Sequence, residues 1–415
     1  MKTCEFIRQV PPLAWLIMVS VLCGGLFGNL LGSLTPEISA DLSLSPKQLG
    51  WLVFWGSAGS AIGAFLGGDM VYRFRPRKLI FVYLMGMAIA IVLLTISNSF
   101  TMLVSSFMFY EVMVTGLFTL AHTLIGQMQL VSTIRARVLA LLDVGWSIGA
   151  SIAPIWVIVL LHIYPSWRVP YGIFFFFVMA LIFAYAQPKM RIAIDQLSGF
   201  TRNSPHESSD KSQVVSHSYW QLMFAPWAIW AWIAGMLIGY VEWGHSYWFV
   251  NYAHVGRDID LDQARLGLVG FTLGMVVVRG WQAFIHSDVT IEQRLIRLGL
   301  IGCIAFLLIA FLPPQAALYY VVGINFLAGV GIGIVFPILL NHLIDFAPHD
   351  TAKFSALLMF SIIIGSQLAG LVIGYVSEHL GISVGYMTIA FAMVGFFIAT
   401  MRLFSIHRKM QHAPE

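Results

Sequence analysis

Charged side chains are rare in this sequence, and several of them lie in the middle of long apolar stretches. Glu111, His122, Asp143, Glu242 and Arg279 each interrupt a run of apolar residues. An ionised group in an apolar environment is costly unless it has a partner or a task that uses its charge. The sequence therefore predicts that proton transfer, or recognition of a charged solute, involves these residues.

The stretch around Glu111 places its polar and aromatic residues on one helical face. Thr115, Phe118 and His122 follow Glu111 at intervals of four, three and four residues, which match the turn of an α-helix. A desolvated carboxyl group can switch its protonation state, and a histidine titrates near neutral pH. We predict that Glu111 and His122 carry or relay protons. The alternatives are an acid fixed in an interhelical hydrogen bond and a histidine packed in the core.

Two further acids are candidates for proton coupling. Asp143 follows Arg135 and Arg137 by about two helical turns, so it could close an inner gate through a salt bridge or tie down the preceding loop. Glu242 lies toward the outer end of its run, where it could take part in external gating or proton entry. It shares a helical stripe with three other residues, Gly235, Gly239 and His245.

The candidate substrate-binding residues combine one cation with amide, imidazole and indole groups. Arg279 is the only basic residue within a clear apolar run of the second half. Its planar guanidinium suits a carboxylate solute, and the alternative is a permanent ion pair with an acid such as Glu111 or Asp143. The other predicted binding residues, for which helix packing is the alternative use, are Asn29, Trp146, His245 and Asn325.

The composition identifies the solvent in which these residues must be positioned. The chain has 415 residues, of which 59% are hydrophobic and 10% are charged, whereas a soluble protein has about 25% charged residues. The apolar runs are continuous rather than alternating, so they favour membrane-spanning helices over a β-barrel. The expected fold is an all-α polytopic membrane protein. The cysteines lack metal-ligand spacing and no catalytic motif is present, so we predict no enzyme activity, no cofactor and no metal site.

The apolar runs form two tracts around a polar interval. We predict 12 transmembrane helices: an N-terminal six-helix half over 1–187, a cytoplasmic linker over 188–218 and a C-terminal six-helix half over 219–415. Lys and Arg are concentrated in alternate loops, which predicts that both termini are cytoplasmic. Topology accounts for these basic clusters, so no nucleic-acid partner is expected. Two six-helix halves are typical of a secondary transporter.

Four features follow one another in the sequence: the stretch from Pro36 to Asp41, then Gln48-Leu-Gly50, a Gly-rich helix and a basic loop. Together they resemble the major facilitator superfamily. The resemblance in layout covers essentially the whole chain. In that family the basic loop has the pattern G-x-x-x-D-R-x-G-R-R/K and acts in gating. The residues that match it here are Gly68, Arg73, Arg77 and Lys78. Tyr72 occupies the position of the acid and Arg75 that of the inner glycine, so Asp69 is expected to replace the missing acid.

Longer segments resemble the fucose-permease-like branch of the superfamily, including its TsgA-type proteins. These segments are Leu124 to Pro154, the pair YWFVNYA and LDQARLGLVGFTLGM, and the end of the chain. Sugar permeases of that branch carry an acid in the first helix. Here the nearest polar residue is Asn29, so the resemblance does not imply fucose as the substrate.

These observations together predict a secondary active, proton-coupled transporter that works by alternating access. The solute is expected to be small, such as a sugar, a carboxylate or a siderophore-like metabolite. The alternatives are a proton antiporter that exports drugs or metabolites, and a transporter-like receptor that moves nothing. The predicted partners are the solute, protons and the lipid bilayer, and the protein is predicted to be a multi-pass monomer of the bacterial inner membrane.

Overall fold

The computed structural model describes residues 9–203, 219–225, 228–284, 289–346 and 351–411. Within these ranges the chain contains helices and short connections, and no β-strand. A continuous apolar run in a bilayer satisfies its own backbone hydrogen bonds only as a helix, which explains why the composition is sufficient to predict this class.

The helices of the first part of the chain follow one another with short connections. They are α1 (Pro12–Gly28), α2 (Leu30–Leu42), α3 (Pro46–Arg73), α4 (Pro76–Thr95), α5 (Phe100–Gln127), α6 (Ser132–Ile163), α7 (Arg168–Ala186) and α8 (Pro188–Asn203).

The later helices begin with a short segment and include a π-helical turn at residues 252–256. They are α9 (Tyr219–Met223), α10 (Ile229–Asn251), α11 (Leu261–Phe284), α12 (Ile291–Ala310), α13 (Leu318–Ile332), α14 (Val335–Phe346), α15 (Thr351–Leu380) and α16 (Ile382–Gln411).

Among the described residues, 11 segments are long and apolar enough to cross a membrane. One of them, Pro12–Leu42, contains both α1 and α2, and another, Leu318–Ile344, contains α13 and most of α14. Helix α10 has 23 residues but is not one of the 11. The chain is thus a multi-pass helical membrane protein, and the prediction of 12 spans depends on α10.

The chain divides into two compact units. The first comprises Met1–Leu44 and Trp55–Glu207, and the second comprises Ser45–Phe54 and Ser208–Glu415. The first half of the predicted linker is helix α8, which packs against α1, α4, α5 and α7 of the first unit and buries Ile194. Residues 204–218 of the predicted linker lie outside the described residues.

Glycines allow the helices of each unit to approach at backbone distance. In the first unit a Cβ atom on Gly149 of α6 would overlap the carbonyl oxygen of Leu22 on α1. In the second unit a Cβ atom on Gly365 of α15 would overlap the carbonyl oxygen of Met236 on α10. Small residues at such crossings bring polar side chains on adjacent helices within reach of each other.

Two long apolar segments are each interrupted in the middle. At Asn29 the helix breaks between α1 and α2, and the side-chain Nδ2 donates to the carbonyl oxygen of Gly25 at 2.8 Å. The second interruption lies at Gly333, between α13 and α14. In membrane transporters such interruptions expose backbone groups at the depth where solutes bind.

Candidate functional site

Glu111 lies on α5 where this helix crosses α3. The crossing is close because Gly59 has no side chain: a Cβ atom there would lie 3.2 Å from Cβ of Glu111. The Glu111 side chain is 6% exposed, and its Oε2 accepts a hydrogen bond of 2.6 Å from the Ser60 hydroxyl. Among the described residues, no basic side chain lies within 4.0 Å of its carboxyl group. Glu111 is thus a buried acid whose partner is a hydroxyl group, and the sequence pattern did not predict that partner.

His122 lies on the same face of α5, three turns after Glu111. Its Nδ1 is 3.0 Å from the carbonyl oxygen of Phe118, so this nitrogen carries a hydrogen and donates. Its Nε2 is 3.4 Å from Oδ1 of Asp143 on α6. The second contact is attractive only when a proton lies between the ring and the carboxyl group. The geometry therefore makes His122 and Asp143 a proton-holding pair.

The structure pairs Asp143 with His122, and the sequence pattern did not predict this pairing. Arg135, which was expected near Asp143, instead donates to the carbonyl oxygens of Gly126 and Leu130 at 3.3 and 3.2 Å. The Asp143 side chain is 54% exposed and that of His122 is 30% exposed, so the pair is not enclosed by the protein. Helix periodicity placed each residue correctly on its own helix but carries no information on the facing helix.

Trp146 and Asn29 lie near the interrupted first segment. The indole of Trp146 packs over Gly24 and Gly28, where added Cβ atoms would lie 3.2 and 3.5 Å from its ring. It also meets the ring of Phe118 edge-on, with centroids 5.1 Å apart. Asn29 is buried, and its amide nitrogen is used to complete the helix at Gly25. Trp146 thus packs against α1 and Phe118, and Asn29 supports the helix break.

In the second unit, Arg279 of α11 joins two other helices. Its Nη2 lies 3.5 Å from Oε1 of Glu242 on α10, and its Nε donates to the carbonyl oxygen of Gly333 at 2.7 Å. The two side chains are 21% and 26% exposed. Glu111 and Asp143 were the acids expected to pair with Arg279, whereas the acid that pairs with it among the described residues is Glu242.

The helix break explains why Arg279 can bind the Gly333 carbonyl group. In a continuous helix this oxygen would accept from the backbone N–H of residue 337, but Pro337 has no N–H. A Cβ atom on Gly333 would lie 3.0 Å from Cα of Met275, so glycine lets α11 come close. The guanidinium also lies at the carboxyl end of α13, where the helix dipole favours a cation. Arg279 therefore supplies the donor that the proline removes.

His245 and Asn325 lie in the core of the second unit. His245 is completely buried, and its Nδ1 is 2.6 Å from the hydroxyl of Tyr386. Phe249 and Phe271 pack against its ring, with centroids 4.8 and 4.2 Å away. Asn325 is also completely buried, and its Nδ2 donates to the carbonyl oxygen of Val321 at 2.7 Å. The structure places these two predicted binding residues in the packed interior of the second unit.

The basic loop between α3 and α4 has an acidic partner that lies far from it in the sequence. Arg77 Nη1 is 3.6 Å from Oδ2 of Asp195 on α8. Arg73 and Lys78 are exposed, and an added Cβ atom on Gly68 would meet no atom within 4 Å. The side chain of Asp69, which was expected to replace the missing acid, lies outside the described residues. Asp195 contributes an acid to the loop, and this acid was missed because it lies in the predicted linker.

The apolar spans and the ionisable groups within them define a polytopic helical membrane protein of the transporter class. A family model for the Major Facilitator Superfamily matches residues 16–366, and the chain belongs to that superfamily. Its members are membrane transporters rather than enzymes. The comparison with curated proteins found no match.

Proposed function

We propose that this protein is a proton-coupled secondary transporter of a small solute that works by alternating access, with Glu111 as the coupling group. The observation that carries the proposal is the setting of Glu111: it is buried, and its bonding partner among the described residues is the Ser60 hydroxyl. A hydroxyl group can hydrogen-bond to either protonation state of a carboxyl group, whereas a permanent cationic partner would hold it ionised. Glu111 can therefore alternate between the two states.

The proposal includes a topology of 12 spans with α10 as the seventh, both termini in the cytoplasm, and a location in the bacterial inner membrane. The distribution of Lys and Arg in alternate loops supports this orientation. The loop formed by Gly68, Asp69, Arg73, Arg77 and Lys78 then lies on the cytoplasmic side and acts in gating. The resemblance of several segments to the fucose-permease-like branch supports this assignment within the superfamily.

His122, which faces Asp143 of α6, is proposed to relay protons toward Glu111 along the face of α5 that His122 shares with Glu111. Trp146 and Arg279 are proposed to contact the solute, because each presents a binding surface that is partly exposed. Asn29, His245 and Asn325 use their amide or imidazole groups within the protein, so their proposed contribution is to hold the neighbouring helices in position.

The test is solute counterflow in proteoliposomes containing the wild-type protein or Glu111→Gln. Glutamine can still accept a hydrogen bond from Ser60 but cannot exchange a proton. We expect Glu111→Gln to retain solute exchange at equal concentrations and to lose accumulation driven by a pH gradient. Pools of sugars, carboxylates and siderophores serve as solutes.

Two results would contradict the proposal. Normal accumulation by Glu111→Gln would show that Glu111 has a structural role and that protons are coupled elsewhere. Absence of counterflow by the wild-type protein with every pool would favour a receptor that does not transport.

A further inference from the structure

We propose that the short helix α9 is an anchor in the membrane surface, with the rings of Trp220 and Phe224 in contact with the headgroup region of the phospholipids. Through this contact α9 sets the depth at which α10 begins. The surface lies outside the candidate site, and the phospholipid bilayer is its partner. The proposed topology, in which α10 crosses the membrane, is the basis of this assignment.

Two aromatic rings, one on α9 and one directly after it, face away from the protein. Trp220 is 69% exposed and Phe224 is 67% exposed. The two residues are four positions apart, which is about one helical turn. Their rings are stacked, with 4° between the ring planes and 6.1 Å between the centroids. The two rings therefore form one continuous apolar surface.

Helix α9 is attached to the second unit, so its aromatic surface has a fixed direction. Leu222 lies between the two aromatic residues in the sequence and is 1% exposed. Its carbonyl oxygen accepts a hydrogen bond of 3.2 Å from the indole N–H of Trp232 on α10. One side of α9 is thus buried and the other is presented outward, as in an amphipathic helix at a membrane surface.

Contacts with α15 place α9 at the level of the membrane boundary. The ring of Trp232 lies against that of Phe354, with centroids 6.3 Å apart. Phe354 is the second residue of the apolar span Lys353–Leu380. About one turn further along both helices, a Cβ atom on Gly235 would meet the side chain of Leu358, so α10 and α15 run in the same direction. Because α9 is bonded to Trp232, it lies where this span begins.

The sequence changes character at the same point. The interval 204–218 is polar and contains Glu207, Asp210 and Lys211, whereas apolar and aromatic residues predominate from Tyr219 onward. At the start of α10, Ile229 is 41% exposed. Exposed apolar side chains thus continue from α9 into the helix that follows, as they do at the edge of a surface that contacts lipid.

The chemistry of the two rings fits the headgroup region of a bilayer. An indole has an apolar body and one N–H donor, and aromatic side chains of this kind are enriched where membrane and water meet. In water the apolar body of Trp220 would stay hydrated, and deep in the hydrocarbon its N–H would have no acceptor. The ester and phosphate oxygens beside the acyl chains satisfy both parts of the ring.

A fixed depth is useful to α10 because this helix is not one of the 11 segments that are apolar enough to span by composition. A strongly apolar segment finds its own depth, since its ends coincide with the edges of the hydrocarbon. The polar residues of α10 weaken that signal. An aromatic anchor directly before the helix replaces it.

The first experiment locates Trp220 in vesicles of phosphatidylethanolamine and phosphatidylglycerol that contain the full-length protein. The acyl chains carry bromine, which quenches tryptophan on contact, either near the headgroup or near the chain end. The chain has 13 tryptophans, so the emission of Trp220 is taken as the difference between wild type and Trp220→Phe. We expect bromine near the headgroup to remove most of this emission, and iodide on both sides of the bilayer to leave it.

Trp248 provides the matched reference, because it is 1% exposed within the second unit. The difference between wild type and Trp248→Phe should be quenched by neither agent. Quenching of Trp220 by iodide and not by bromine would overturn the inference, since the ring would then lie in water. Quenching by neither would also overturn it, since a second copy or another protein would then cover the ring.

The second experiment tests whether the rings set the depth of α10. A spin label on Ile229→Cys, in a Cys4→Ser background, reports contact with oxygen dissolved in the membrane and with a nickel complex dissolved in water. Combining Trp220→Ser with Phe224→Ser should shift this label toward one of the two reagents. The aromatic control, Trp220→Phe with Phe224→Tyr, should keep the original value. An unchanged label in the serine variant would overturn the role in setting depth.

The outcomes separate this inference from the proposed function. If bromine near the headgroup quenches Trp220 while no solute pool shows counterflow, the anchor stands and the transport function is wrong. If counterflow proceeds while iodide quenches Trp220, the transport function stands and the anchor is wrong.

Discussion

His122 lies between a backbone carbonyl group and a carboxyl group, and this position determines how its ring can carry protons. Because Nδ1 donates to Phe118, the neutral ring would present an unprotonated Nε2 to Asp143. Adding one proton changes this contact from repulsive to attractive. The pair is thus expected to change its interaction within the pH range in which histidine titrates.

We expect His122→Asn and Asp143→Asn each to reduce the pH dependence of counterflow between about pH 5.5 and about pH 8. His162→Asn is the matched control, because His162 makes the same type of contact with a carbonyl group four residues earlier and lies exposed at the end of α6. The control should retain the pH dependence of the wild-type protein.

The same variants test whether the pair is merely structural. The carboxyl group of Asp143 is about half exposed, so Asp143→Asn should change the free energy of unfolding by less than about 1 kcal/mol. Thermal unfolding in detergent measures this value. A loss of several kcal/mol together with an unchanged pH profile would assign the pair a structural role.

At individual residues, the sequence was informative about position on a helix and uninformative about partners. The spacing from Glu111 to His122 placed both on one face of α5, but Ser60 and Asp143 come from α3 and α6. Which residues face each other across a helix crossing depends on the depth and rotation of both helices. These follow from packing in three dimensions, and periodicity along one helix does not contain them.

At the scale of helices, glycines on α10 and α15 determine how closely these two pack. A Cβ atom on Gly239 would overlap the carbonyl oxygen of Ile362, and one on Gly365 would overlap that of Met236. Both overlaps involve backbone atoms, which cannot move aside as a flexible side chain can. The helices would have to separate to admit a methyl group.

We therefore expect Gly365→Ala to destabilise the protein by about 1–3 kcal/mol, the usual cost of overpacking. Gly323→Ala on α13 is the matched control, because an added Cβ atom there would meet no atom within 4 Å. The control should be neutral or slightly stabilising, since alanine favours helix more than glycine does. The measurement is the midpoint of thermal unfolding, and equal midpoints for the two variants would contradict the packing argument.

The apolar runs were sufficient to predict that the helices exist, but their interruptions were not predicted. The break at Asn29 is stabilised by the residue's own side chain, and the break at Gly333 is stabilised by Arg279 from another helix. Pro337 indicated a weakened helix, yet only the structure shows which donor compensates. Helix α8 was missed because its residues are polar on average, although Ile194 anchors it to the first unit.

At the scale of the whole molecule, each unit contains an arginine that caps the end of a helix. In the first unit Arg168 donates to the carbonyl oxygen of Ser97 at 2.8 Å and to Asp41 at 2.6 Å. In the second unit Arg257 donates to the carbonyl oxygen of Ala310 at 2.8 Å. The predicted topology places both arginines on the external side, where topology alone would not favour basic residues. Their carbonyl contacts give a structural reason for these exceptions.

We expect membrane-impermeant maleimide to label Lys47→Cys and Pro313→Cys from outside intact cells, and to label Lys78→Cys and Arg297→Cys only after permeabilisation. Cys23 and Cys303 are buried, so a background carrying Cys4→Ser has low labelling. Helix α10 decides the outcome for the second half of the chain. If α10 does not cross the membrane, the accessibility of positions 313 and 297 is reversed.

The overall layout was the part that composition predicted best. Two apolar tracts separated by a polar interval indicated a multi-pass helical membrane protein, and the family match agrees with that class. Composition was less informative for α10, because Glu242, Trp243 and His245 lower the apolar character of a helix whose sides are otherwise largely buried. A helix surrounded by protein can carry polar residues that a helix facing lipid cannot.

The position of Glu242 and Arg279 on consecutive helices also bears on biogenesis. A charged residue at the centre of a helix that enters the bilayer alone costs about 2.5–3.5 kcal/mol. The neutralising partner of Glu242 is synthesised only when α11 follows, across the short connection after α10. We expect the two helices to enter the membrane as a hairpin that already carries its ion pair. Composition alone does not mark α10 as a span, so α10 would depend on α11 for its insertion.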